Sequence, residues 1–457
     1  MAVELEADLG DGSATEIEVG RVEGEDWANP ETLGLSLGEA KRLSAAIQTE
    51  IVRSQAAIMG ERYRCCGQCG SDLSSNGYRQ VTFRSLFGEA PLRVRRFQIW
   101  PCLEVVPQAP RSFSALALEG GVAPELAYVT AKFAALAPFG KVAEFLAELP
   151  PLDGAVNAGT VRNRTRRVGE RIARLRTAGA PDPDIDTVTP AVVIGLDGGC
   201  LRSRHRRPER NFEVIAGKVL NLDGSQHRFA FARNSKSASE FADAMVSAGV
   251  RLGTPATVLS DGDAGLWKLQ RQLVPEATLL LDWRHIAMRF EHALQAARGI
   301  GQGTTSAYLR TYAVRDLESA KWKLWHGRSS ACLGRLAQSA NWLDCGHVRD
   351  VRSAVATRRY VNDLIEYLHA NRHALVNYGR RRHEGLPIST AFVESAVNEI
   401  LSKRMIKKQQ MRWNRWTEQP FLDVRTAVLN ATLRGSFRRL YPAFQADNDN
   451  RSALVAA

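Results

Sequence analysis

Two aspartates follow apolar segments of the sequence in a way that suits metal-dependent chemistry on a phosphate. Asp197 follows VVIGL (192–196), and Asp261 follows ATVLS (256–260). An acidic residue at the end of a buried strand lies at the rim of the sheet, where ligands bind in open α/β folds. Two adjacent carboxylates repel each other unless a cation lies between them. Mg²⁺ (or Mn²⁺) suits this arrangement because it takes oxygen ligands and keeps coordination positions for water and phosphate.

A third carboxylate would complete a site for two Mg²⁺ ions about 3.5–4 Å apart, which stabilise the attacking and leaving oxygens of an in-line phosphoryl displacement. Glu394, within AFVESAVNEILSKR, is the best candidate. Glu399 and Glu384 compete with it, and Asp263 competes with Asp261. The alternative interpretation is that the aspartates only form turns, since each is followed by a glycine.

The segments around these acids contain the elements that must position them. Apolar runs predict three strands in AVVIGLDGG, NFEVIAGKVL and QHRFAFARN, a fourth in ATVLSD and a fifth in ATLLLDWRH. SASEFADAMVSAG and GLWKLQRQL have helical spacing, and residues 286–385 are helical with no clear strand. Three strands joined by short turns, then strand–helix–strand units, predict a mixed sheet of the ribonuclease H (RNase H) type, in an α/β multidomain protein with a helical insertion.

Smaller modules are predicted before this sheet. Residues 35–58 have the spacing of an amphipathic helix. Residues 63–102 combine short alternating runs with turn residues and cysteines, as in β-hairpins held by a metal. Residues 112–178 are predicted to form three helices, the third N-capped by Thr160. The proline- and aspartate-rich stretch 178–190 is interpreted as a linker.

The cysteines give an incomplete zinc pattern. Cys66 and Cys69 have the Cys-x2-Cys spacing of half a zinc ribbon, because two thiolates so placed chelate one tetrahedral ion. Only Cys102 follows in the module, and no histidine precedes His205. Zn²⁺ binding by Cys66, Cys69 and Cys102, with Cys65 as a further candidate, is one interpretation, and a metal-free β-hairpin module with buried thiols is the other. We interpret the remaining cysteines as core or neutral positions: Cys200, Cys332 and Cys345.

Charge is unevenly distributed along the 457 residues, whose net charge is +12. Residues 1–40 hold eleven acidic residues and one basic residue, Arg21, on an otherwise strongly basic chain, as in polyanion-binding proteins. A solvated, partly disordered N-terminus is the alternative. No apolar run approaches the ~18 residues of a membrane span, and the first twenty residues lack a secretory pattern. Seven cysteines are too few for a disulfide scaffold, so we expect a cytoplasmic protein.

Basic residues cluster in places that suit DNA. Residues 162–176 hold seven arginines against one acid, as in a recognition helix, although a solvated helix face is the alternative. The arginines after Asp197 lie in an expected turn, where they could hold phosphates. Trp413 could stack on an unpaired base, or belong to the core. The expected DNA-binding residues are Arg162, Arg164, Arg166, Arg167, Arg171, Arg202, Arg204, Arg206, Arg207, Lys407, Lys408, Arg412 and Trp413.

Four motifs, in order, resemble those of bacterial insertion-sequence DDE transposases of the Mutator-like type. They are GLDGG (195–199), VLSDGDAGLW (258–267), LLLDWRH (279–285) and GLPISTAFVESAVNEILSKRMIKKQQMRW (385–413). The similarity spans about residues 60–440, and the ordered set is more specific than any single motif. One departure is visible, since relatives often have Gly-Ser-Gly where this chain has Ser389-Thr390-Ala391.

The resemblance implies an RNase H-like catalytic domain in which Asp197, Asp261 and Glu394 form an acidic triad that binds Mg²⁺. It also implies that Asp282 and His285 are the Asp-x-x-His pair of these enzymes, with His285 near the scissile phosphate or a flipped base. A structural hydrogen-bonding role is the alternative for His285. The implied partners are double-stranded DNA (terminal inverted repeats and target DNA), bound by a homo-oligomer at the bacterial nucleoid.

These patterns divide the chain into six expected segments. They are an acidic leader with an amphipathic helix (1–60), a zinc-ribbon-like β module (61–110), a helix-turn-helix-like DNA-binding domain (111–180), the RNase H-like catalytic domain (190–285 and 386–415), the helical insertion (286–385) and a basic helical C-terminus and tail (416–457).

Three functions are compatible with these patterns. The first is a transposase that cleaves the ends of an insertion sequence and joins the freed 3′-hydroxyl to target DNA, with no nucleotide cofactor. The second is a transposase-derived DNA-binding regulator without catalysis, which the intact acidic triad disfavours. The third is an RNase H-like nuclease without strand transfer, which the predicted DNA-binding modules disfavour.

Overall fold

A computed structural model divides the chain into two compact units, Met1–Ile172 with Thr432–Ala457, and Ala173–Ala431. The described residues are 2–8, 14–21, 31, 33–62, 64–65, 70–97, 121–148, 150–151, 156–177, 191–204, 210–221, 223–250, 255–301, 304–344, 352–389, 395–406, 412–414 and 417–445. No helix within these ranges is long and apolar enough to cross a membrane.

The first unit contains two antiparallel β-hairpins and several helices. Its strands are β1 (Ala2–Asp8), β2 (Ala14–Arg21), β3 (Ser75–Ser85) and β4 (Gly88–Phe97). Its helices are α1 (Leu37–Arg62), α2 (Pro124–Leu136) and α3 (Phe139–Glu148), followed by α4 (Ala158–Thr177), which spans the boundary between the units. The described part of the acidic leader therefore forms a hairpin, which differs from the alternative of a partly disordered N-terminus.

Helix α1 confirms that this part of the chain is helical, as predicted. It begins at a capping box, in which Ser36 Oγ accepts the N–H of Glu39 (3.2 Å) and the Glu39 carboxylate accepts the N–H of Ser36 (2.8 Å). Val52 of α1 packs with alternate residues of β4, namely Ala90, Leu92 and Val94. The hairpin β3–β4 is thus held by an apolar core within the described residues.

Helix α4 begins three residues earlier than predicted. Asn157 Oδ1 accepts the N–H of Thr160 at 2.9 Å, so Asn157 caps the helix and the prediction of Thr160 as the cap is wrong. The three predicted helices are present. Ala137 and Pro138 join α2 to α3, whereas residues 149–157 separate α3 from α4. This second connection is longer than the three- or four-residue turn of a helix-turn-helix.

The second unit contains a five-stranded mixed sheet in the order β7-β6-β5-β8-β9. The strands are β5 (Ala191–Arg202), β6 (Asn211–Asn221), β7 (Gln226–Ala232), β8 (Thr257–Ser260) and β9 (Thr278–Leu281). Strands β5, β6 and β7 are antiparallel neighbours, while β8 and β9 run parallel to β5. Helices α5 (Ser237–Ser247) and α6 (Ala264–Leu273) connect the later strands. The predicted strands, these two helices and the α/β class are confirmed.

Apolar residues alternate between the two faces of this sheet. Ile194, Leu196 and Val258 pack in one core with α5 and α6. Val193 and Leu259 pack in the other core with the helices that follow β9. Because neighbouring residues of a strand point to opposite faces, the two cores fix the direction of every side chain along β5 and β8.

The helices after β9 are α7 (Trp283–Arg298), α8 (Thr304–Trp325), α9 (Ser329–Leu343), α10 (Arg352–Ala370) and α11 (Tyr378–His383). A π-helix (Asn398–Ile406) and α12 (Gln419–Leu429) follow, and α13 (Leu433–Leu440) returns to the first unit. The helical character predicted for residues 286–385 is confirmed in the described part of that range. The predicted extension of the fifth strand to His285 is wrong, because Asp282 accepts the N–H of Arg284 (2.7 Å) and starts α7.

Candidate functional site

The parallel pairing of β5 with β8 brings the two predicted aspartates together. Ile194 pairs with Val258 and Gly195 with Leu259. The same register, continued by two residues, places Asp197 beside Asp261. Neighbouring strands lie about 4.8 Å apart, so the two residues occupy adjacent positions at the end of the parallel ladder.

Both aspartates also lie on the same face of the sheet. Leu259, two residues before Asp261, packs in the core formed with the helical insertion, and so does Val193, four residues before Asp197. Even spacing along a strand keeps side chains on one face. The two carboxylates therefore share the face on which the helical insertion packs.

Asp197 occupies a different position in its strand than the sequence predicts. Strand β5 does not end there but continues to Arg202, because it pairs with β6 as far as Asn211. The partner β8 stops at Ser260, so Asp197 still lies at the rim of the parallel part of the sheet. One carboxylate oxygen of Asp197 accepts the N–H of Gly198 at 2.8 Å.

The contacts of Asp263 distinguish it from Asp261. Asp263 caps α6 by accepting the N–H of Leu266 (2.9 Å), and it forms an ion pair with Arg233 (2.9 Å). Burial opposes ionisation of Asp263, but the hydrogen bond and charge of Arg233 hold its pKa below the ordinary value. Asp261 Oδ1 accepts only local hydrogen bonds in the described chain, from the N–H of Asp263 (3.1 Å) and the hydroxyl of Ser260 (3.3 Å). Asp261 is therefore the better candidate ligand.

Asp282 is the third aspartate in this row. Ser260 pairs with Leu281, and the N–H of Asp282 donates to the carbonyl of Ser260 at 3.0 Å. Its side chain is fully buried and caps α7. His285 Nε2 lies 3.7 Å from Asp282 Oδ2, which is too long for a hydrogen bond. The two side chains are close, but Asp282 does not hold the His285 ring through a hydrogen bond between these atoms.

Two tyrosines of the helical insertion hold the rim on which the aspartates lie. The hydroxyl of Tyr367 donates to the carbonyl of Asp261 (2.7 Å), and the hydroxyl of Tyr378 donates to the carbonyl of Leu281 (2.8 Å). Burial raises the pKa of both hydroxyls, so both remain proton donors at neutral pH. The guanidinium of Arg289 lies 4.0 Å above the ring of Tyr367.

The turn after Asp261 closely approaches the insertion. Gly262 has φ +97°, and a Cβ there would lie 2.9 Å from the side chain of Asn371 and 3.0 Å from that of Tyr367. Asn371 in turn accepts the indole N–H of Trp267 at 2.7 Å. Tyr367, Tyr378 and Asn371 are not among the predicted site residues, since no local pattern marks a residue that bonds about one hundred positions away.

Glu394 lies outside the described residues, but the segment after it is described. Ser395 accepts a hydrogen bond from the ammonium group of Lys218 (3.0 Å), and Lys218 pairs with Gly195 across β5 and β6. A Cβ on Gly199 would lie 2.5 Å from Leu401, so the π-helix packs closely on β5. Gly195 and Gly199 flank Asp197 on its own face of the strand. The segment that follows Glu394 is thus anchored on the face that carries Asp197.

The two acids that compete with Glu394 have partners elsewhere. The Glu399 carboxylate lies 2.6 Å from Arg228, and although burial opposes ionisation, this arginine holds the pKa of Glu399 below its ordinary value. Glu384 pairs with Arg380 at 2.8 Å on the surface. Neither acid contributes to the row of aspartates through these contacts.

Of the four cysteines considered as zinc ligands, Cys65 is the one within the described residues. Cys66, Cys69 and Cys102 lie outside the described residues, so zinc binding stays a prediction. The thiol of Cys65 donates to Asp72 at 3.2 Å. Burial raises the pKa of Cys332 to about 12, which agrees with its interpretation as a core residue, while Cys200 is exposed.

The structure corrects two of the expected DNA-binding residues. Arg164 is only 8% exposed, because it lies on the inward face of α4, so it does not belong to an exposed basic face. Trp413 is 6% exposed, donates its indole N–H to the carbonyl of Met405 (3.3 Å) and packs on Phe421. It is a core residue and does not stack on a base.

The other expected DNA-binding residues have mixed environments. Arg171 is half-buried and contacts the ring and hydroxyl of Tyr441. Five arginines are exposed: Arg162, Arg166, Arg167, Arg202 and Arg204. Arg412 is exposed as well. Four residues lie outside the described ranges: Arg206, Arg207, Lys407 and Lys408.

The row of aspartates supplies two of the three carboxylates predicted to bind a hard cation. Within the described ranges no group of three or more His, Cys, Asp or Glu side chains is arranged to hold a metal ion. Asp197 and Asp261 nevertheless supply carboxylate oxygens from adjacent positions, which is the donor type that Mg²⁺ prefers. The predicted third ligand, Glu394, lies outside those ranges.

Comparison with known proteins adds no relative, because no family model and no curated protein matches the chain.

The tyrosine contacts predict a loss of stability when either hydroxyl is removed. Tyr367→Phe and Tyr378→Phe each remove a hydroxyl that donates to a backbone carbonyl, in a part-buried and a buried hydrogen bond respectively, which costs about 1–3 kcal/mol. The exposed Tyr308 provides the control, since Tyr308→Phe should change the free energy of unfolding by less than about 0.5 kcal/mol. Denaturant unfolding of the full chain measures the difference, and equal values for all three variants would contradict the role of the two tyrosines.

Proposed function

We propose that this protein is a DDE-type DNA transposase whose second unit has an RNase H-like fold. The observation that carries the proposal is the shared row and face of Asp197 and Asp261 on adjacent parallel strands. The strand order, with three antiparallel strands extended by two parallel ones, is the order expected of an RNase H-like sheet. A helical insertion separates this sheet from the segment that contains Glu394.

Asp197, Asp261 and Glu394, which we call the acidic row, provide the reaction chemistry under this proposal. Asp197, Asp261 and Glu394 would hold Mg²⁺ (or Mn²⁺), which would supply positive charge to the phosphate oxygens during an in-line displacement. The chain's own contribution is to hold the carboxylates in place. The pairing of β8 with β5 and β9 and the hydrogen bond from the Tyr367 hydroxyl fix the backbone at Asp261, which directly follows β8. Lys218 holds Ser395, the residue that follows Glu394.

Exposed cations support DNA as the substrate. Arg202 and Arg204 lie five and seven residues beyond Asp197, on the extension of β5 and just after it, and both are exposed. The chain has a net charge of +12. Contacts between arginines and phosphates position a protein on DNA without reading its sequence. We therefore propose that the DNA backbone lies near the end of β5 that extends past β8.

The ion pairs of the alternative metal ligands favour an active enzyme over a regulator. Asp263 and Glu399 are neutralised by Arg233 and Arg228, whereas Asp261 forms no ion pair within the described chain. An acid that is held without a cationic partner suits a metal ligand better than a structural ion pair. Zinc binding, assembly as a homo-oligomer and a cytoplasmic, nucleoid-associated location remain predictions of the same proposal.

The first test compares metal-ligand variants on DNA duplexes taken from both flanks of the gene. Asp197→Asn and Asp261→Asn should reduce strand cleavage and joining by about 10³-fold or more, because a lost ligand removes several kcal/mol of charge stabilisation. DNA binding should change little. The matched control is Asp263→Asn, which keeps an N-cap residue on α6 and should retain activity. Sequencing gels resolve the ends of the cleaved products. Electron paramagnetic resonance measures Mn²⁺ binding to the protein without DNA.

The outcomes separate the three functions. Cleavage that leaves 3′-hydroxyl ends and joined products supports a transposase, whereas cleavage without joining supports an RNase H-like nuclease. Binding without cleavage by the unchanged protein supports a regulator. If Asp197→Asn cleaves as well as the unchanged protein, the assignment of the acidic row is wrong. Terminal inverted repeats flanked by short direct repeats around the gene would support the transposase independently.

A second test concerns the third carboxylate. Glu394→Gln should abolish cleavage and weaken Mn²⁺ binding, while Glu399→Gln should affect only stability, since Glu399 is paired with Arg228. The loss of that partly exposed ion pair should cost about 0–1 kcal/mol. Equal loss of Mn²⁺ binding in both variants, or in Glu399→Gln alone, would remove Glu394 from the proposed triad.

A further inference from the structure

A line of exposed aromatic side chains runs along helix α8 of the helical insertion. Tyr308, Tyr312 and Trp322 are 67%, 50% and 61% exposed. Together with Arg315 they recur at steps of four, three and seven residues, which places them on one helix face. His326, the first residue after α8, continues the same line four residues after Trp322. We call these five residues the α8 ridge. At 1.5 Å per residue, Tyr308 and Trp322 are about 21 Å apart along the helix axis.

The opposite face of α8 already provides its packing. Ala313, Leu317, Ala320 and Leu324 are buried in the core of the insertion. The ridge is therefore not needed to hold the helix in place. Single exposed apolar residues are ordinary, but three exposed large rings on one helix face suit a binding surface.

The ridge carries positive charge between its rings. The guanidinium of Arg315 lies 4.8 Å from the ring centre of Tyr312, and the ring of His326 stacks on Trp322 at 6.3 Å with an angle of 27°. Arg315 also lies 3.8 Å from Asp316, a buried acid that a second arginine, Arg335, approaches at 3.5 Å. This second cation leaves Arg315 with part of its charge unopposed at the surface.

The acids of α8 are either paired with an arginine or buried. Glu318, three residues after Arg315 and four before Trp322, lies beside the ridge, where it pairs with Arg298 at the end of α7 (3.7 Å) and is thus neutralised. Asp316 is buried toward α9. The large exposed apolar side chains of α8, within its described part, are all aromatic. Rings combined with cations suit a nucleic acid, because bases stack on the rings while phosphates attract the charges.

One end of the ridge lies near the rim of the acidic row. Trp322 contacts Trp325 with ring centres 6.4 Å apart, and Trp325 contacts Trp283 at 4.8 Å. Trp283 directly follows Asp282, and its ring contacts Tyr378, which bonds the carbonyl of Leu281. A DNA strand that leaves the acidic row on this side would reach Trp322 first.

We propose that the α8 ridge binds unpaired bases of the DNA strand beside the cleavage position. The bases stack on Trp322, Tyr312 and Tyr308, and Arg315 contacts the phosphates. The inference deepens the proposed function, since it rests on DNA as the substrate. Stacking recognises every base, so the ridge binds without sequence preference and discriminates unpaired from paired DNA.

The test measures the affinity of the full chain for two DNA molecules, without divalent metal, by fluorescence anisotropy. One is a blunt duplex, and the other is the same duplex with six unpaired nucleotides at the 3′ end. Trp322→Ala and Tyr312→Ala should each weaken binding of the second DNA by about tenfold and leave the blunt duplex within about twofold. The controls Trp322→Phe and Tyr312→Phe keep a ring and should bind as the unchanged protein does. Far-ultraviolet circular dichroism verifies that each variant is folded.

Three results would overturn the inference. The first is equal binding of the extended DNA by the alanine variants and the unchanged protein. The second is an equal loss on both DNA molecules, which would indicate a general contact. The third is a smaller mass of Trp322→Ala in sedimentation with unchanged DNA binding, which would make the ridge a contact between two copies of this chain. Because no cleavage is measured, a ridge that selects unpaired DNA stands even if Asp197→Asn proves active.

Discussion

The register between β5 and β8 is the constraint on which the candidate site depends. Asp197 and Asp261 are adjacent only because Gly195 pairs with Leu259. A slip of one residue would turn Asp261 to the other face of the sheet, into a core that contains Ile194 and Val258. The apolar alternation of these short strands therefore also fixes the acids, since burying a carboxylate in that core without a partner would cost several kcal/mol.

The helical insertion has a structural task at this rim whatever DNA contacts it makes. Parallel strands that end at a sheet edge leave carbonyl groups that need hydrogen-bond donors. The hydroxyls of Tyr367 and Tyr378 provide these donors at Asp261 and Leu281. Gly262, whose turn lies against the insertion, leaves no room for a side chain. Since the insertion holds the backbone of the proposed ligand, a movement of the insertion would move Asp261 as well.

The sequence predicted what local patterns determine and missed what distant contacts determine. The five strands follow from runs of alternating or continuous apolar residues, and the neighbouring aspartates follow from their positions after two such runs. Strand β5 is longer than predicted, because its pairing with β6 extends the strand beyond Asp197 to Arg202. Tyr367 lies 106 positions from Asp261, and no spacing rule connects residues so far apart.

Some of the basic residues near the C-terminus are buried and have structural partners. The segment 403–439 holds ten basic residues against two acids, yet some of these cations are structural. Arg404 is fully buried over the ring of Phe421, and burial lowers its pKa to about 9. Arg425 donates to the carbonyls of Glu399 and Ile400 in the π-helix, and burial lowers its pKa to about 10. These arginines hold the π-helix that packs against β5, so they support the candidate site through structure, and only the exposed cations are available for the proposed phosphate contacts.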